Sequence, residues 1–154
     1  MRQPRQIHVF LYRKGETGWE YAVFLRSNLK DCWQGVSGGV EDDETLEEAA
    51  RRELWEEIGR QQALPLYPLE CVNSFPAAII GKKHAARWGE NVILVPIHYF
   101  AVAYDGPIRL SEEHLEYRWL PYEAASALLY FPEQKTALYE LNERILRGLI
   151  SPNA

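Results

Sequence analysis

Between Gly38 and Gly59 the chain reads GGVEDDETLEEAARRELWEEIG: a glycine pair, an acidic approach and then a run patterned as a helix. Thr45 and Glu48 stand in the Thr-x-x-Glu relation of a capping box, which predicts Thr45 as the N-cap and a helix starting near Leu46. At about 100° per residue, Leu46, Ala50, Leu54 and Ile58 share one stripe, and Glu53, Glu56 and Glu57 share the stripe beside it. Like charges at i and i+4 repel by roughly 0.2–0.5 kcal/mol even in water, and by more where water is scarce. Three carboxylates at the margin of a buried face therefore call for a counter-charge. Hard oxygen ligands of this kind suit Mg2+, or Mn2+ in its place, since such an ion keeps several waters and also bridges substrate phosphates. A solvated acidic helix face is the plain alternative for the glutamates taken alone.

The wider spacing separates these readings. Gly38, Glu44 and the run Arg52-Glu53-Leu54-Trp55-Glu56-Glu57-Ile58-Gly59 resemble the signature of the Nudix hydrolases at every fixed position but the last, where an aliphatic residue is usual and Arg60 stands. The resemblance, carried by residues 38–60, implies a single α/β domain over residues 1–154, an α/β/α sandwich around a mixed sheet. It also implies an enzyme that hydrolyses a phosphoanhydride in a nucleoside diphosphate linked to another group. Glu53, Glu56 and Glu57 would hold the metal, with one of them, or a carboxylate from a later loop, taking the proton of the attacking water. Glu44 and Arg52 look like partners that orient ligand carboxylates through bidentate hydrogen bonds. Gly38 and Gly39 let the backbone come close to a phosphate, and a carbonyl near Ser37 is a further metal ligand in the family.

Two flanking segments sharpen the resemblance. Residues 32–39 read CWQGVSGG and residues 111–120 read SEEHLEYRWL. Together they look like the dihydroneopterin triphosphate and dATP pyrophosphohydrolase branch of the family. On that resemblance Arg26 and Ser37 match substrate-contacting positions, and Glu113, beside Glu112, matches a metal-binding glutamate outside the helix. The reaction implied is release of pyrophosphate and a monophosphate from a nucleoside or pterin triphosphate. Trp33 is a candidate to stack on a base or pterin, with a core tryptophan as the ordinary expectation. Pro76, 16 residues after Arg60, lies near a proline typical of ADP-ribose-cleaving members, so ADP-ribose stays open beside dinucleoside polyphosphates. A non-catalytic nucleotide-sensing domain is the rival class, and the intact set of Glu53, Glu56 and Glu57 speaks against it.

The remaining chain supplies the frame. Residues 6–12 and 21–25 read as a pair of strands parted by a turn over 13–18, and Arg26 follows the second strand where a cation can reach phosphate. Arg2 and Arg5 are weaker candidates of the same kind. After the helix, 61–68 reads as a loop, and 70–75 and 77–80 as extended chain interrupted at Pro76. Residues 81–90, GKKHAARWGE, read as a basic loop, a lid whose Lys82, Lys83, His84 and Arg87 meet phosphates with Trp88 beside the base. Residues 91–104 predict a long central strand bent at Pro96, with His98 as a core histidine. Pro121 at N1 and Pro132 open two closing helices, the second carrying Leu138, Leu141, Ile145 and Leu149 at helical spacing.

Net charge is −5, and nine of the 22 acidic residues fall between Glu41 and Glu57. That distribution gives no electrostatic footprint for nucleic acid or a membrane surface, and suits a metal carrying a small-molecule nucleotide. Cys32 and Cys71 have no metal-binding spacing, and no secretory or membrane-spanning run is present, so the expected setting is the cytoplasm with both thiols reduced. Both a monomer and a homodimer are compatible with the apolar helix stripes.

Overall fold

The computed structural model describes residues 2–150. Strands β1 (Arg2–Gly15) and β2 (Gly18–Arg26) form the expected hairpin, but each runs farther than its apolar stretch. Its turn narrows to Glu16 and Thr17, because Gly18 takes a positive φ of 138° that closes the loop tightly. The hairpin ladder covers only Tyr12–Tyr21 to Gly15–Gly18. Beyond it the two strands part like a fork. Strand β3 (Trp33–Gln34) pairs with β2 and β4 (Val36–Glu41) pairs with β1, so the glycine-rich segment is wedged between the prongs. Ser37 and Gly38 thereby lie opposite His8 and Ile7.

Three more strands complete a mixed sheet: β5 (Tyr67–Pro76), β6 (Leu94–Ala103) and β7 (His114–Leu120). Strand β6 runs parallel to β1 and antiparallel to β5, and β7 is antiparallel to β2, giving the path β3-β2-β1-β6-β5 with β4 on β1 and β7 on β2. Alternation along β1 sends Ile7, Val9 and Leu11 to one face and Phe10 and Tyr12 to the other. Helix α1 (Leu46–Ile58) covers the first face through Ala49, Ala50, Leu54 and Ile58. Helices α3 (Tyr122–Leu128) and α4 (Pro132–Leu146) cover the second through Ala125, Ala137, Leu138, Leu141 and Ile145. The result is the α/β/α sandwich, and each fully buried leucine in it contributes roughly 1.5–3 kcal/mol.

The ends of α1 are set as its sequence predicts. Thr45 Oγ1 accepts from the Glu48 amide at 3.1 Å, and Glu48 Oε1 accepts from the Thr45 amide at 3.0 Å. Gly59 closes the helix in the left-handed region at φ 80°. Arg60 is exposed, so the absent aliphatic side chain leaves the buried stripe intact, and the Trp55 indole secures the exit by donating to the Gln62 carbonyl at 2.9 Å.

Several expectations are corrected. Residues 81–90 are not a loop: α2 (Lys82–Trp88) forms there, built from helix-compatible residues without β-branching and bracketed by Gly81 and Gly89. Residues 77–80 form a 3-10 turn instead of extended chain, since Pro76 ends the β5 ladder. Pro96 does not break β6; it sits opposite Ser74 within a continuous pairing. Pro121 is the N-cap of α3 and not its first residue, and Leu149 lies exposed beyond the end of α4. His98 is only half-buried, whereas His8 and His114 are the histidines of the interior.

Candidate active site

A cleft of about 1080 Å3 opens where the paired β1 and β4 meet the end of β2, the loop before β7, helix α2 and the start of α4. Arg26, Ser37, Gly38, Glu53, Arg87 and Glu113, all expected at the site, line it. Arg2, Lys83 and His84 add further cationic or polar groups.

Helix α1 delivers Glu53 to the floor. Its carboxylate, 7% exposed, packs so closely on Gly38 that a Cβ at that position would overlap it. This explains the first glycine of the box in physical terms. Arg52 ties the surroundings together: Nη1 donates to Glu53 Oε1 at 2.7 Å, Nε to Glu44 Oε2 at 2.7 Å, and Nη2 to both Glu44 Oε1 and the Gly39 carbonyl at 2.9 Å. Glu44 in turn accepts from the Glu41 amide at 2.8 Å. Arg52 thus locks helix α1 to β4 through a fork that only a guanidinium provides. The hydrogen bond to Glu44 holds the Arg52 pKa above its ordinary range, and the same bond holds Glu44 below the usual carboxylate range. Burial pushes Glu53 up to about 7; its bond to Arg52 opposes the rise, and the nearby charges of Glu56 and Glu113 add to it.

Glu57 faces elsewhere. It is 2% exposed and accepts a short hydrogen bond from Ser111 Oγ, with Nδ1 of His114 at 2.8 Å. Two neighbours thus hold the carboxylate, Ser111 through its hydroxyl and His114 through its imidazole. Burial works to raise the Glu57 pKa, and the Ser111 and His114 contacts outweigh it and hold the group below the usual range. Ser111 and His114 were not legible as partners of Glu57. The only local signal was their position on either side of Glu113.

The Glu113 loop is fastened to the end of β2, where the Ser27 amide donates to the Glu113 carbonyl at 2.8 Å and Ser27 Oγ to the Glu112 carbonyl at 3.0 Å. That attachment carries a second carboxylate to the cleft from outside the helix. Three expected substrate residues are placed differently. Trp33 is buried in the core beneath the Arg118 guanidinium, 4.6 Å from its ring centroid, and does not line the cleft. Trp88, the last residue of α2, does not line the cleft and donates from Nε1 to the Arg2 carbonyl at 2.7 Å, a tether between helix and strand. Arg5 turns away from the cleft and donates to Gln3 at 3.3 Å. Arg2, weaker at the outset, lies in the cleft with Nη2 on Gln6 at 2.8 Å.

Among the described residues no three His, Cys, Asp or Glu side chains converge as a ready-made ligand set. Glu57 is engaged by Ser111 and His114, while Arg52 also reaches Glu56 at 3.5 Å. The donors nevertheless fit a hard divalent cation. Glu53 carries hard oxygen donors at the floor of the cleft, and the exposed carboxylates of Glu56 and Glu113 are close enough for their charges to act on it.

A three-layer sandwich that holds a buried carboxylate against a glycine of β4, beneath a cleft lined with cations, suits phosphoanhydride chemistry. The NUDIX domain pattern matches residues 2–141, and the chain belongs to that family. It is 30% identical over 130 residues to the dihydroneopterin triphosphate diphosphatase of Escherichia coli, covering 82% of this chain and 84% of that protein. The structure of the E. coli dihydroneopterin triphosphate pyrophosphohydrolase matches with a TM-score of 0.72 at 28% identity, covering 92% of this chain and 97% of the other. A NUDIX hydrolase of Listeria monocytogenes matches with a TM-score of 0.83 at 34% identity, over 95% and 97% of the two chains. The similarity to the RNA pyrophosphohydrolase of Sulfurovum, 34% identical over 82 residues, spans 52% of each chain. No helix among the described residues is long and apolar enough to cross a membrane.

Proposed function

We propose that this protein is a Mg2+-dependent pyrophosphohydrolase that cleaves a nucleoside or pterin triphosphate to a monophosphate and pyrophosphate. The observation that carries the reading is Glu53, a carboxylate buried against Gly38 at the floor of a cleft whose walls bear Arg2, Arg26, Lys83 and Arg87. The similarity to dihydroneopterin triphosphate diphosphatase, which covers most of both chains, supports the substrate class.

In this mechanism the four basic side chains bind and orient the phosphates, and Gly38 and Gly39 let them approach the backbone. Glu53, Glu56 and Glu113 would hold Mg2+, with Glu57 as a further ligand on reorientation. The ion, when bound, spreads the charge that develops on the phosphoryl oxygens and lowers the pKa of coordinated water. Arg52 and Glu44 keep Glu53 in position, and a carboxylate that reaches the cleft, Glu53 or Glu113, accepts the proton of the attacking water. Water adds to one phosphorus of the anhydride, the bridging bond breaks, and pyrophosphate departs.

The test is release of phosphate and of pyrophosphate, with and without Mg2+, across the nucleoside triphosphates, dihydroneopterin triphosphate, ADP-ribose and diadenosine polyphosphates. Pyrophosphate from a triphosphate only in the presence of metal is the expected result. Turnover confined to ADP-ribose or the dinucleotides would overturn the substrate class, and silence across the panel would turn the reading toward a sensor.

A further inference from the structure

Two side chains lining the cleft serve no purpose in the scheme above. Tyr99, on β6, is 1% exposed, and Gln134, in the first turn of α4, is 6% exposed. The Tyr99 hydroxyl and the Gln134 Oε1 are both buried, and among the described residues neither has a hydrogen-bond partner. Interiors rarely leave such groups unpaired, because the lost hydration is not returned. They belong to one neighbourhood: the Tyr99 ring packs in the same core as Ala137 and Leu138, which follow Gln134 on α4, and both side chains line the one cleft. Glu133 and the rings of Phe131 and Phe75 line the same cleft.

We propose that Tyr99 and Gln134, with Glu133 beside them, form a recognition floor for the 2-amino-lactam edge that guanine and pterins share. The inference rests on the reading of the cleft as a triphosphate site and names the heterocycle that the phosphates carry. Gln134 Oε1 and the Glu133 carboxylate are acceptors, so the ligand must bring two neighbouring donors, and the Tyr99 hydroxyl is left to donate to an acceptor. A ring N–H next to an amino group, with a carbonyl on the other side, meets all three. Adenine brings one amino donor beside a bare ring nitrogen and leaves one protein acceptor unmatched. Sites of this kind discriminate strongly, because the wrong ligand leaves buried polar groups without partners. Phe131 and Phe75 supply the apolar surface that a planar bicycle needs.

The experiment is calorimetric binding of GMP, AMP and neopterin to the wild-type protein, to Tyr99→Phe and to Gln134→Met, with melting curves to establish that each variant is folded. GMP and neopterin should bind at least tenfold more tightly than AMP, and each variant should cut that preference roughly tenfold. Tyr99→Phe should melt no lower than the wild type, since it removes a hydroxyl that has no partner. Equal affinity for GMP and AMP, equal losses for both in the variants, or no binding of either would overturn the floor. The readout is independent of turnover. A protein that prefers GMP yet releases no pyrophosphate retains the floor and loses the reaction, and one that releases pyrophosphate without base preference does the reverse.

Discussion

Replacing Arg52 by lysine would preserve its charge and lose its fork. The guanidinium spans Glu44, Glu53 and the Gly39 carbonyl at once, and an ammonium cannot meet that geometry. Arg52→Lys should lower kcat by about 10–100-fold and raise the Mg2+ concentration needed for half-maximal rate, as read from a metal titration of pyrophosphate release. Glu53 gives a second prediction at this scale. Its folded pKa of about 7 lies above the ordinary value of 4.5, so between these limits the folded chain keeps a proton that the unfolded chain has released. Metal-free stability should therefore fall as pH rises from about 4.5 to about 7 and level off above, by an amount on the order of 3 kcal/mol at most. Glu57 is depressed and acts in the opposite sense, contributing stability that is lost only as pH falls through its lowered value, outside that window. Calorimetric melting in a chelator should show the slope, and Glu53→Gln should flatten it; an undiminished slope in the variant would assign the effect to other groups. Glu53 was legible because its helix spacing is local. The Glu57 partnership with Ser111 and His114 was not, because it joins residues about a third of the chain apart through the pairing of β7 with β2.

At the scale of elements, α1 was readable from end to end, since its cap, stripe and terminal glycine all lie within the sequence of one helix. Helix α2 was not: seven residues between glycines carry too little periodicity to separate a short helix from a loop. Of the four side chains expected at the phosphates, Lys83, His84 and Arg87 line the cleft and Lys82 does not. What holds α2 there is the Trp88 indole on the Arg2 carbonyl. Trp88→Phe deletes that bond, worth about 1 kcal/mol, and should speed hydrogen exchange across 82–88 and raise KM for the triphosphate. Unchanged exchange would mean that the tether is dispensable. The fork between β1 and β2 was likewise hidden, because register is a property of paired strands and the sequence of either strand alone does not contain it.

For the molecule as a whole, the fold class followed from the signature in residues 38–60, and the layers that carry it rest on ordinary alternation and helix stripes. Mg2+ should stabilise this assembly by relieving the repulsion among Glu53, Glu56 and Glu113. At a hundredfold excess over Kd the gain is about 2.7 kcal/mol, which for a chain of this size raises Tm by roughly 5–10 °C. A melting scan with and without chelator measures it, and the double variant Glu53→Gln, Glu56→Gln should lose most of the shift. An equal shift in that variant would place the ion elsewhere.

The parallel pairing of β1 with β6 also bears on how the chain comes into being. Gln6 meets Ile97, so β1 waits for β2 to β5 and helices α1 and α2 to be made before its second edge is covered. The hairpin, the fork and α1 with its carboxylates all precede that event in synthesis. Until β6 emerges, the nascent protein carries helix α1 on a sheet whose centre is still an open edge, which makes this interval one in which a chaperone has much to protect.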